Sequence, residues 1–424
     1  MPHTIDRRDF LRAAGAGAGS LALGGALAAC GSGKKAGAVT LTWWDYWDAP
    51  NFQKGLTAVI KDVEAHLPDI TIHRRFFPFA SLTDAITRGA LTGDLPDIAI
   101  IDNVDMNTLG GNGLLADLTS RVKAWGQAGQ YYAGPWADCQ VDGKTLGIPN
   151  NSNCLALYCN TEMLKSAGVS PPTNWDELAA AAHTLTTGNR YGLALSAIKT
   201  EEGTFQFLPF LWQAGGDLDT FATDGATALT FLDELVSKGS LSKQCVEWTQ
   251  QDVNDQFLSG RAAMQINGPW QVPVLSKQSR VKWSVVALPR DKVAATCLGG
   301  ENWVVMKSSK HLDQAWQVIE RTQQPGSLIP YLEALGDLPA RKDLADSGIW
   351  AGNPALKLFL SQLPFARPRL YGPHYADISL TVSDAEQAVL TGASSPDAAA
   401  KAAAVKIDQA LGSQTASPAG SPSQ

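Results

Sequence analysis

The sequence predicts an α/β fold divided between two compact lobes. A chain of 424 residues is too long for a single small hydrophobic core. Its composition, 45% hydrophobic and 18% charged, is typical of a globular protein. Strand-like and helix-like patterns alternate from Val39 onward, and this order predicts a parallel sheet flanked by helices.

The first 30 residues are predicted to be an export signal that takes no part in the fold. Arg7 and Arg8 precede a stretch rich in Ala, Gly and Leu, which ends in the sequence LAAC at residues 27–30. This combination resembles a twin-arginine signal followed by a bacterial lipobox, in which the thiol of Cys30 receives a lipid. Asp6 stands where twin-arginine signals prefer Ser or Thr, so export by the Sec route remains the alternative.

Polar segments flank the predicted fold. Residues 31–38 predict a flexible tether and residues 412–424 a disordered tail, because both contain few large apolar side chains. No apolar run after residue 30 is long enough to span a bilayer, so the lipid is the expected membrane attachment. The formal charge of −7 and the lack of a basic stripe argue against nucleic acid as a partner.

The first lobe begins with an alternation of strands and helices. Apolar residues recur at helical spacing between Phe52 and Leu67, and Pro68 ends that helix. Ligands of parallel sheets bind beyond the carboxyl ends of the strands, so residues 45–48 and 102–105 are expected at one edge. The predicted elements are strands at 39–44, 70–73 and 95–102 and helices at 52–67 and 81–91.

Three later patterns predict local structure. The sequence DGK at residues 142–144 predicts the turn of a hairpin. Thr173 and Asp176 are spaced as a capping box, which predicts the start of a helix. An apolar, aromatic run from Phe205 to Ala214 predicts another helix, and helical patterns continue to about Leu411.

The cysteine count bears on covalent stabilisation. An odd number of cysteines outside the cytoplasm allows at most two disulfides and leaves a free thiol. We expect one or two structural disulfides and buried thiols, with the pairing left open. Their spacing does not suggest zinc. The residues concerned are Cys139, Cys154, Cys159, Cys245 and Cys297.

No motif predicts a catalytic centre, a metal site or a cofactor. The sequence GNGLLA at residues 111–116 matches a dinucleotide fingerprint by letters, but it lies past the end of its strand and opens no long helix. The DGKT segment has the Lys-Thr of a phosphate loop but lacks the first glycine of that pattern, six residues before Lys144. The six histidines are scattered along the chain, with none paired at ligand spacing.

The segment WWDYWD, residues 43–48, combines aromatic side chains with carboxylates. A core rejects unpaired carboxylates, whereas a pyranose needs an apolar platform together with hydrogen-bond donors and acceptors. Trp43 alternates with apolar residues and is expected in the core, whereas Trp270 follows a Gly-Pro break and is expected in the cleft. Residues of suitable chemistry at strand ends or in loops are Asp45, Tyr46, Trp47, Asp102, Asn103, Asn150, Asn151, Asn153, Trp270, Glu301 and Asn302.

The order of several segments resembles bacterial extracellular solute-binding proteins of family 1, the sugar receptors of ABC importers that include maltose-binding protein. These segments are LPDIAIID followed by GLLADL, DGKTLGIP, PPTNWDEL, FLSGRAAMQINGPW and LGGENWVVMKSS. The resemblance covers residues 39–411. It implies a two-lobed, periplasmic-binding-protein-like fold of class II, in which each lobe is a sheet flanked by helices and the ligand cleft lies between the lobes.

The resemblance also implies lobe boundaries. Lobe one would hold residues 39–150 and 301–335, and lobe two would hold residues 151–300 and 336–411. The chain would therefore cross between the lobes more than once, and a ligand held by both lobes would favour the closed form. The expected hinges lie near Asn151, Gly300 and Gly336.

Binding residues are carried over from the family by position. The loop after the first strand falls on residues 45–48, and the tryptophan of the GPW segment falls on Trp270. Asn153 stands where many relatives have Asp, which removes a charge from the cleft, and Trp212 and Tyr371 match more loosely. The expected ligand-binding residues are Asp45, Tyr46, Trp47, Asp102, Asn103, Asn151, Asn153, Trp212, Trp270, Gly300, Glu301 and Tyr371.

The resemblance implies a non-enzymatic, monomeric receptor that is lipid-anchored to the outer face of the cytoplasmic membrane. It would deliver a mono- to oligosaccharide to permease subunits that carry a cytoplasmic ATPase. A glycerophosphodiester is the alternative ligand within the family, and the sequence HRR at residues 73–75 offers positive charge. A secreted glycoside hydrolase that uses two of Asp45, Asp102 and Glu301 is the alternative from another class.

Overall fold

A computed structural model describes residues 38–278 and 280–412, without the side chains of residues 348 and 349. The predicted export signal, the lipidation residue Cys30, the tether up to residue 37 and the tail from residue 413 lie outside the described residues. The described chain forms two α/β lobes with a small sheet between their main sheets.

The strands of the described chain form three sheets and a short hairpin. Their bounds are β1 (Val39–Asp45), β2 (Ile70–Phe76), β3 (Ile98–Asp102), β4 (Gln140–Val141), β5 (Lys144–Thr145), β6 (Gly147–Pro149), β7 (Asn153–Cys154), β8 (Ala156–Asn160), β9 (Tyr191–Ala194), β10 (Ala262–Asn267), β11 (Trp283–Val286), β12 (Thr296–Gly299), β13 (Glu301–Val305) and β14 (Ala366–Arg367).

Helices cover the sheets of both lobes. Their bounds are α1 (Pro50–His66), α2 (Leu82–Thr92), α3 (Asp105–Gly111), α4 (Thr119–Trp125), α5 (Ala133–Asp138), α6 (Thr161–Ala167), α7 (Trp175–Leu185), α8 (Glu201–Gln213), α9 (Ala226–Ser237), α10 (Gln250–Leu258), α11 (Val272–Ser276), α12 (Leu312–Thr322), α13 (Pro325–Leu335), α14 (Lys342–Ala345), α15 (Gly348–Gly352), α16 (Pro354–Gln362), α17 (Tyr375–Leu390) and α18 (Pro396–Gly412). None of them is both long enough and apolar enough to cross a membrane.

The first lobe contains a five-stranded sheet in the order β2-β1-β3-β13-β6. Strand β1 pairs in parallel with β2 and β3, which confirms the predicted strand–helix–strand order. The β13 strand runs antiparallel between β3 and β6. Leu41 and Trp43 are fully buried on one face of β1, where the ring of Trp43 meets Trp303 edge-on at 4.6 Å. The apolar alternation in β1 therefore reflects its position inside the core.

The second lobe contains a four-stranded sheet in the order β11-β8-β10-β9. Helix α8 packs into this lobe, and every residue from Gly203 to Gln213 is buried. An all-round buried helix must satisfy its polar side chains internally. Gln206 does so by accepting from the backbone nitrogen of Ser196 at 3.0 Å and donating to the carbonyl of Ile266 at 3.2 Å.

A small sheet, in the order β14-β12-β7, carries the chain between the two larger sheets. Strand β7 follows β6 of the first lobe and precedes β8 of the second, while β12 leads through Gly300 into β13. A backbone bridge between Ser152 and Leu338 brings a third segment alongside. The connections thus lie side by side, at the residues where the sequence predicts hinges. Rotation about them stays a prediction.

Substituting Gly300 with Ala is expected to lower the free energy of unfolding by about 1–3 kcal/mol. Gly300 has a φ of +135°, and a Cβ there would lie 2.7 Å from the carbonyl oxygen of Asn151. Urea denaturation measures the change. Gly326→Ala is the control, because a Cβ at Gly326 meets no atom within 4 Å. Equal denaturation midpoints for the two variants would contradict the prediction.

Two expectations from the sequence are wrong. The five described cysteines are all free thiols in the structure and all buried, so the expected disulfides are absent among them; the residues are Cys139, Cys154, Cys159, Cys245 and Cys297. Cys154 and Cys159 belong to different hydrophobic clusters, although they are close in sequence.

The cap of α7 is Asn174, which accepts from the backbone of Glu177 at 2.9 Å, rather than Thr173 with Asp176. The predicted cap therefore lies one residue before the observed one.

Candidate ligand-binding cleft

A cavity of about 1010 Å³ lies beyond the carboxyl ends of β1 and β3, and both lobes contribute to its wall. Its lining combines aromatic rings with carboxylates and amides. The aromatic residues are Tyr46, Trp47, Phe52, Phe76, Phe79, Phe205 and Trp270; the acidic residues are Asp48, Asp102, Glu201, Glu202, Glu301 and Asp337.

A second cavity of about 370 Å³ adjoins the first. Tyr46, Phe79, Asp102 and Glu201 line both, so these residues separate the two spaces. The smaller cavity is otherwise lined by the neighbourhoods of α2, α3 and α17. The region between the lobes therefore contains two adjoining compartments.

The segment after β1 divides between the core and the cavity. Trp43 is buried, as predicted, while Tyr46 and Trp47 line the cavity. The hydroxyl of Tyr46 donates to Oε1 of Glu301 at 2.7 Å, which ties the end of β1 to the start of β13. The segment thus places a phenol and an indole where a ligand could contact them.

Asp45 does not line the cavity. Its side chain is fully buried and accepts from Nε of Arg74 at 2.6 Å and from the Trp47 backbone nitrogen at 3.0 Å. Arg74 also donates to the carbonyl of Trp47. Burial raises the pKa of the Asp45 carboxyl, and the Arg74 guanidinium opposes that shift. Asp45 is therefore placed to hold the shape of the loop that presents Tyr46 and Trp47.

Arg369 links groups from both lobes. It is only 3% exposed, and its guanidinium donates to Asp102 at 3.2 Å and Asn103 at 2.7 Å from the first lobe, and to Glu201 from α8 of the second. The guanidinium carbon also lies 4.7 Å from the ring centre of Phe205. A buried guanidinium is stable only when paired, so this bridge compensates carboxylates on both sides of the cleft.

The Glu201 and Asn103 ends of this bridge are supported by further hydrogen bonds. Glu201 accepts from the hydroxyl of Tyr375 at 2.8 Å and from Ser379. Asn103 donates to Asp138 at 2.8 Å. Burial raises the pKa of Glu201, and the nearby Arg369 charge lowers it. The bridge is therefore the centre of a polar network that runs through the boundary between the two cavities.

Trp270 lies against its own loop. A Cβ at Gly268 would come within 1.9 Å of the indole of Trp270, so the ring rests on the bare backbone of that glycine. The ring centre is 6.4 Å from that of Phe205, and the indole is half-buried. The GPW sequence therefore has a structural reason, because only glycine leaves room for the ring at this position.

The structure places several predicted residues in the cavity lining and others behind it. Those in the lining are Tyr46, Trp47, Asp102, Asn153, Trp270, Gly300 and Glu301. Asn103 and Asn151 support the lining by hydrogen bonds to Arg369 and Glu301, respectively. Trp212 is fully buried, and its indole nitrogen donates to Asp217 and to the hydroxyl of Tyr371, each at 3.2 Å. Neither Trp212 nor Tyr371 lines either cavity.

Part of the cavity lining was not predicted from the sequence. The residues concerned are Glu201, Glu202, Phe205, Gln250, Gln251, Asp337 and Arg369. Glu201 and Glu202 lie in the first turn of helix α8. Acidic residues are common there because they interact favourably with the helix dipole, so their presence does not by itself indicate a binding site. Arg369 is 267 residues from Asp102 along the chain, so no local pattern signals their contact. Only the fold brings these groups together.

The family of the chain follows from a match to the family model described as bacterial extracellular solute-binding protein, which covers residues 58–358. The chain belongs to this family. The structure agrees with that membership, since it has two α/β lobes and a cavity to which both lobes contribute.

The chain is also similar in sequence or in structure to individual bacterial binding proteins. A putative binding protein of Brucella abortus is 27% identical over 93% of this chain and 98% of its own length. The lactose-binding protein of Rhizobium radiobacter is 26% identical over 70% of this chain and 72% of its own. An ABC transporter solute-binding protein of Thermotoga lettingae, bound with α-D-tagatose, superposes with a TM-score of 0.82 and 28% identity over 88% of this chain and 99% of that chain.

The ligand-free protein is expected to be more stable at pH 5 than at pH 8. Burial raises the pKa of Asp105, Asp138 and Glu301 to about 7 in each case, whereas unfolded carboxyls titrate near 4. Between these values the native state holds more protons than the unfolded state, so rising pH removes stability until about pH 7. Melting temperatures across this range test the sign, and Glu301→Gln should flatten the dependence. A higher melting temperature at pH 8 would contradict it.

Proposed function

We propose that this chain is the substrate-binding lipoprotein of an ABC sugar importer. It captures a mono- to oligosaccharide by closure of its lobes and delivers it to permease subunits driven by a cytoplasmic ATPase. The observation that carries the proposal is a cavity of about 1010 Å³ whose wall mixes aromatic rings with carboxylates and amides from both lobes. A lipid on Cys30, added after export, would hold the monomeric receptor at the outer face of the cytoplasmic membrane.

The chemistry of the lining suits a pyranose. Each sugar hydroxyl that leaves water must find a new hydrogen-bond partner, since an unsatisfied buried hydroxyl costs about 1–3 kcal/mol. Asp102, Glu301 and Asn153 can accept from hydroxyls, and the indole of Trp270 offers a flat apolar face for the C–H side of the ring. A cavity near the upper end of the usual 300–1,000 Å³ range leaves room for more than one sugar ring.

Closure would join the two halves of this site. The proposal assigns residues 39–150 and 301–335 to one lobe and residues 151–300 and 336–411 to the other. A ligand that contacts Trp47 from the first lobe and Trp270 from the second binds the closed form more tightly and therefore shifts the population toward it. The adjacent connections through β7 and β12, which pair with each other, would supply the axis of this closure.

A glycerophosphodiester fits the lining less well. A phosphate needs cationic donors, and the lining provides Arg369, already paired with carboxylates, and the exposed Lys277. The basic segment at residues 73–75 lines neither cavity. Within it, Arg74 is paired with Asp45, and Arg75 lies over the rings of Trp44 and Phe77. Acidic residues outnumber cationic ones in the wall, which favours a ligand without negative charge.

A thermal-shift panel tests the proposed function. Protein that begins at Gly31 is mixed with mono-, di- and oligosaccharides, glycerophosphodiesters, amino acids and short peptides. A ligand at 100 times its dissociation constant adds about 2.7 kcal/mol to stability, which gives a measurable shift. A shift with a saccharide supports the proposal, and a shift with glycerophosphodiesters alone contradicts it. Sustained release of free sugar from a glycoside would instead support the hydrolase alternative.

A further inference from the structure

Asp337 is a buried carboxyl in the wall of the larger cavity. It is 3% exposed, and its Oδ1 has no hydrogen-bond partner among the described residues. Its backbone is fixed, because its carbonyl accepts from the indole nitrogen of Trp350 at 3.0 Å. A polar atom that is buried and unpartnered costs free energy, and this one belongs to a residue of the cavity wall.

Glu301 is the neighbouring carboxyl in the same wall. It accepts from the hydroxyl of Tyr46 and from the amide of Asn151, both of which are neutral donors. Burial and then the charge of Glu301 raise the pKa of Asp337 well above its usual range. Within the described part of the chain, neither Glu301 nor Asp337 has a cationic partner within ion-pair distance.

The cations of the lining are committed elsewhere. Arg369 is paired with Asp102 and Glu201 on the boundary between the cavities. Lys277 is exposed just beyond the end of helix α11.

The wall therefore contains two neighbouring carboxyls, Asp337 buried and Glu301 half-buried, that form no ion pair with a described side chain. They are neighbours because Asn151, whose amide bonds to Glu301, precedes Ser152, which pairs with Leu338 beside Asp337. A hydroxyl could hydrogen-bond to one of them, whereas a cation can bond to both and offset the repulsion that arises when both are ionised.

We propose, on the basis of the sugar-binding function above, that the ligand is an amino-substituted saccharide whose ammonium group binds between Glu301 and Asp337. Three N–H donors on one charged nitrogen can bond to oxygens of both carboxyls, and such charge-assisted bonds are about twice as strong as neutral ones. The aromatic residues Trp47 and Trp270 would hold the apolar face of the sugar. The raised pKa of Asp337 keeps its carboxyl protonated before the ligand binds. The ammonium group would favour the ionised form of Asp337, so a proton leaves with each ligand that binds.

Calorimetry on matched pairs tests this inference with protein that begins at Gly31 and keeps the whole described structure. The pairs are glucose with glucosamine, galactose with galactosamine, and cellobiose with the β1,4-linked glucosamine dimer. The saccharide that the thermal-shift panel identifies is added with its 2-amino and 6-amino counterparts. We expect an amine to bind at least tenfold more tightly than its neutral partner. We also expect a binding enthalpy that varies with the buffer near pH 6.5, because a proton is released.

Variants locate the effect. Glu301→Gln and Asp337→Asn should each remove the preference for the amine and the buffer dependence. Glu234→Gln, which removes an exposed carboxylate on α9, should retain both. Neutral saccharides that bind as tightly as their amines overturn the inference and leave the sugar receptor intact. Failure of every saccharide, neutral or amino, overturns the proposed function and this inference with it.

Discussion

Replacing Arg369 with Met is expected to lower the free energy of unfolding by about 3–5 kcal/mol, because Asp102 and Glu201 would lose their buried counter-charge. The same repulsion should separate the lobes, since these carboxylates belong to opposite sides of the cleft. Urea denaturation measures the first effect. Small-angle X-ray scattering of the ligand-free protein measures the second as an increase in radius of gyration.

Arg75→Met is the matched control for this experiment. Arg75 pairs with Asp94 at 3.4 Å, and the two side chains are 56% and 72% exposed. Exposed ion pairs contribute about 0.2–1 kcal/mol, and an exposed cation over an aromatic ring contributes about 0.5–1 kcal/mol, as Arg75 does over Trp44 and Phe77. The control should therefore lose less stability than the Arg369 variant. Equal stabilities for the Arg369 and Arg75 variants would show that the bridge between the lobes contributes no more than a surface pair.

Replacing Trp270 with Ala is expected to weaken binding of the saccharide at least tenfold, which corresponds to about 1.4 kcal/mol. The half-buried indole lines the cavity and is the platform that the proposed function assigns to the sugar. The fold should survive, because the indole is only half-buried and lies at the margin of the core of the second lobe. Isothermal titration calorimetry measures the affinity, and circular dichroism checks the fold.

Trp125→Ala provides the comparison. Trp125 is also half-buried, but it packs edge-on against Trp316, 5.9 Å away, and it lines neither cavity. This variant should lose stability without losing affinity. Unchanged affinity of the Trp270 variant would remove that residue from the site, whereas equal losses in both variants would indicate a general weakening of the fold.

Sequence patterns predicted the parts of the fold that depend on local periodicity. The first lobe is the clearest case: helix α1 ends at His66 before Pro68, and β1, β2 and β3 pair in parallel as expected. These elements are specified by apolar spacing and by a proline that cannot continue a helix. Trp43 is another case, since alternation along a strand places it inside.

Side-chain pairing across the chain could not be predicted in the same way. Asp45 and Tyr46 are adjacent at a strand end, but Arg74 from β2 takes up the carboxylate of Asp45 and leaves only Tyr46 in the cavity lining. Arg369 joins the site through a contact that no sequence motif marks. The disulfide expectation failed for a related reason, because the number of cysteines says nothing about the distances between them.

The contact between Gly268 and the indole of Trp270 has a consequence for changing ligand specificity by mutation. The ring already rests on the glycine before any ligand arrives, so its rotational freedom is lost during folding and not again on binding. Any residue larger than glycine at position 268 would displace the ring and return that entropic cost to the binding step. Variants designed to bind a new ligand should therefore leave Gly268 and Trp270 unchanged and alter the residues that face them.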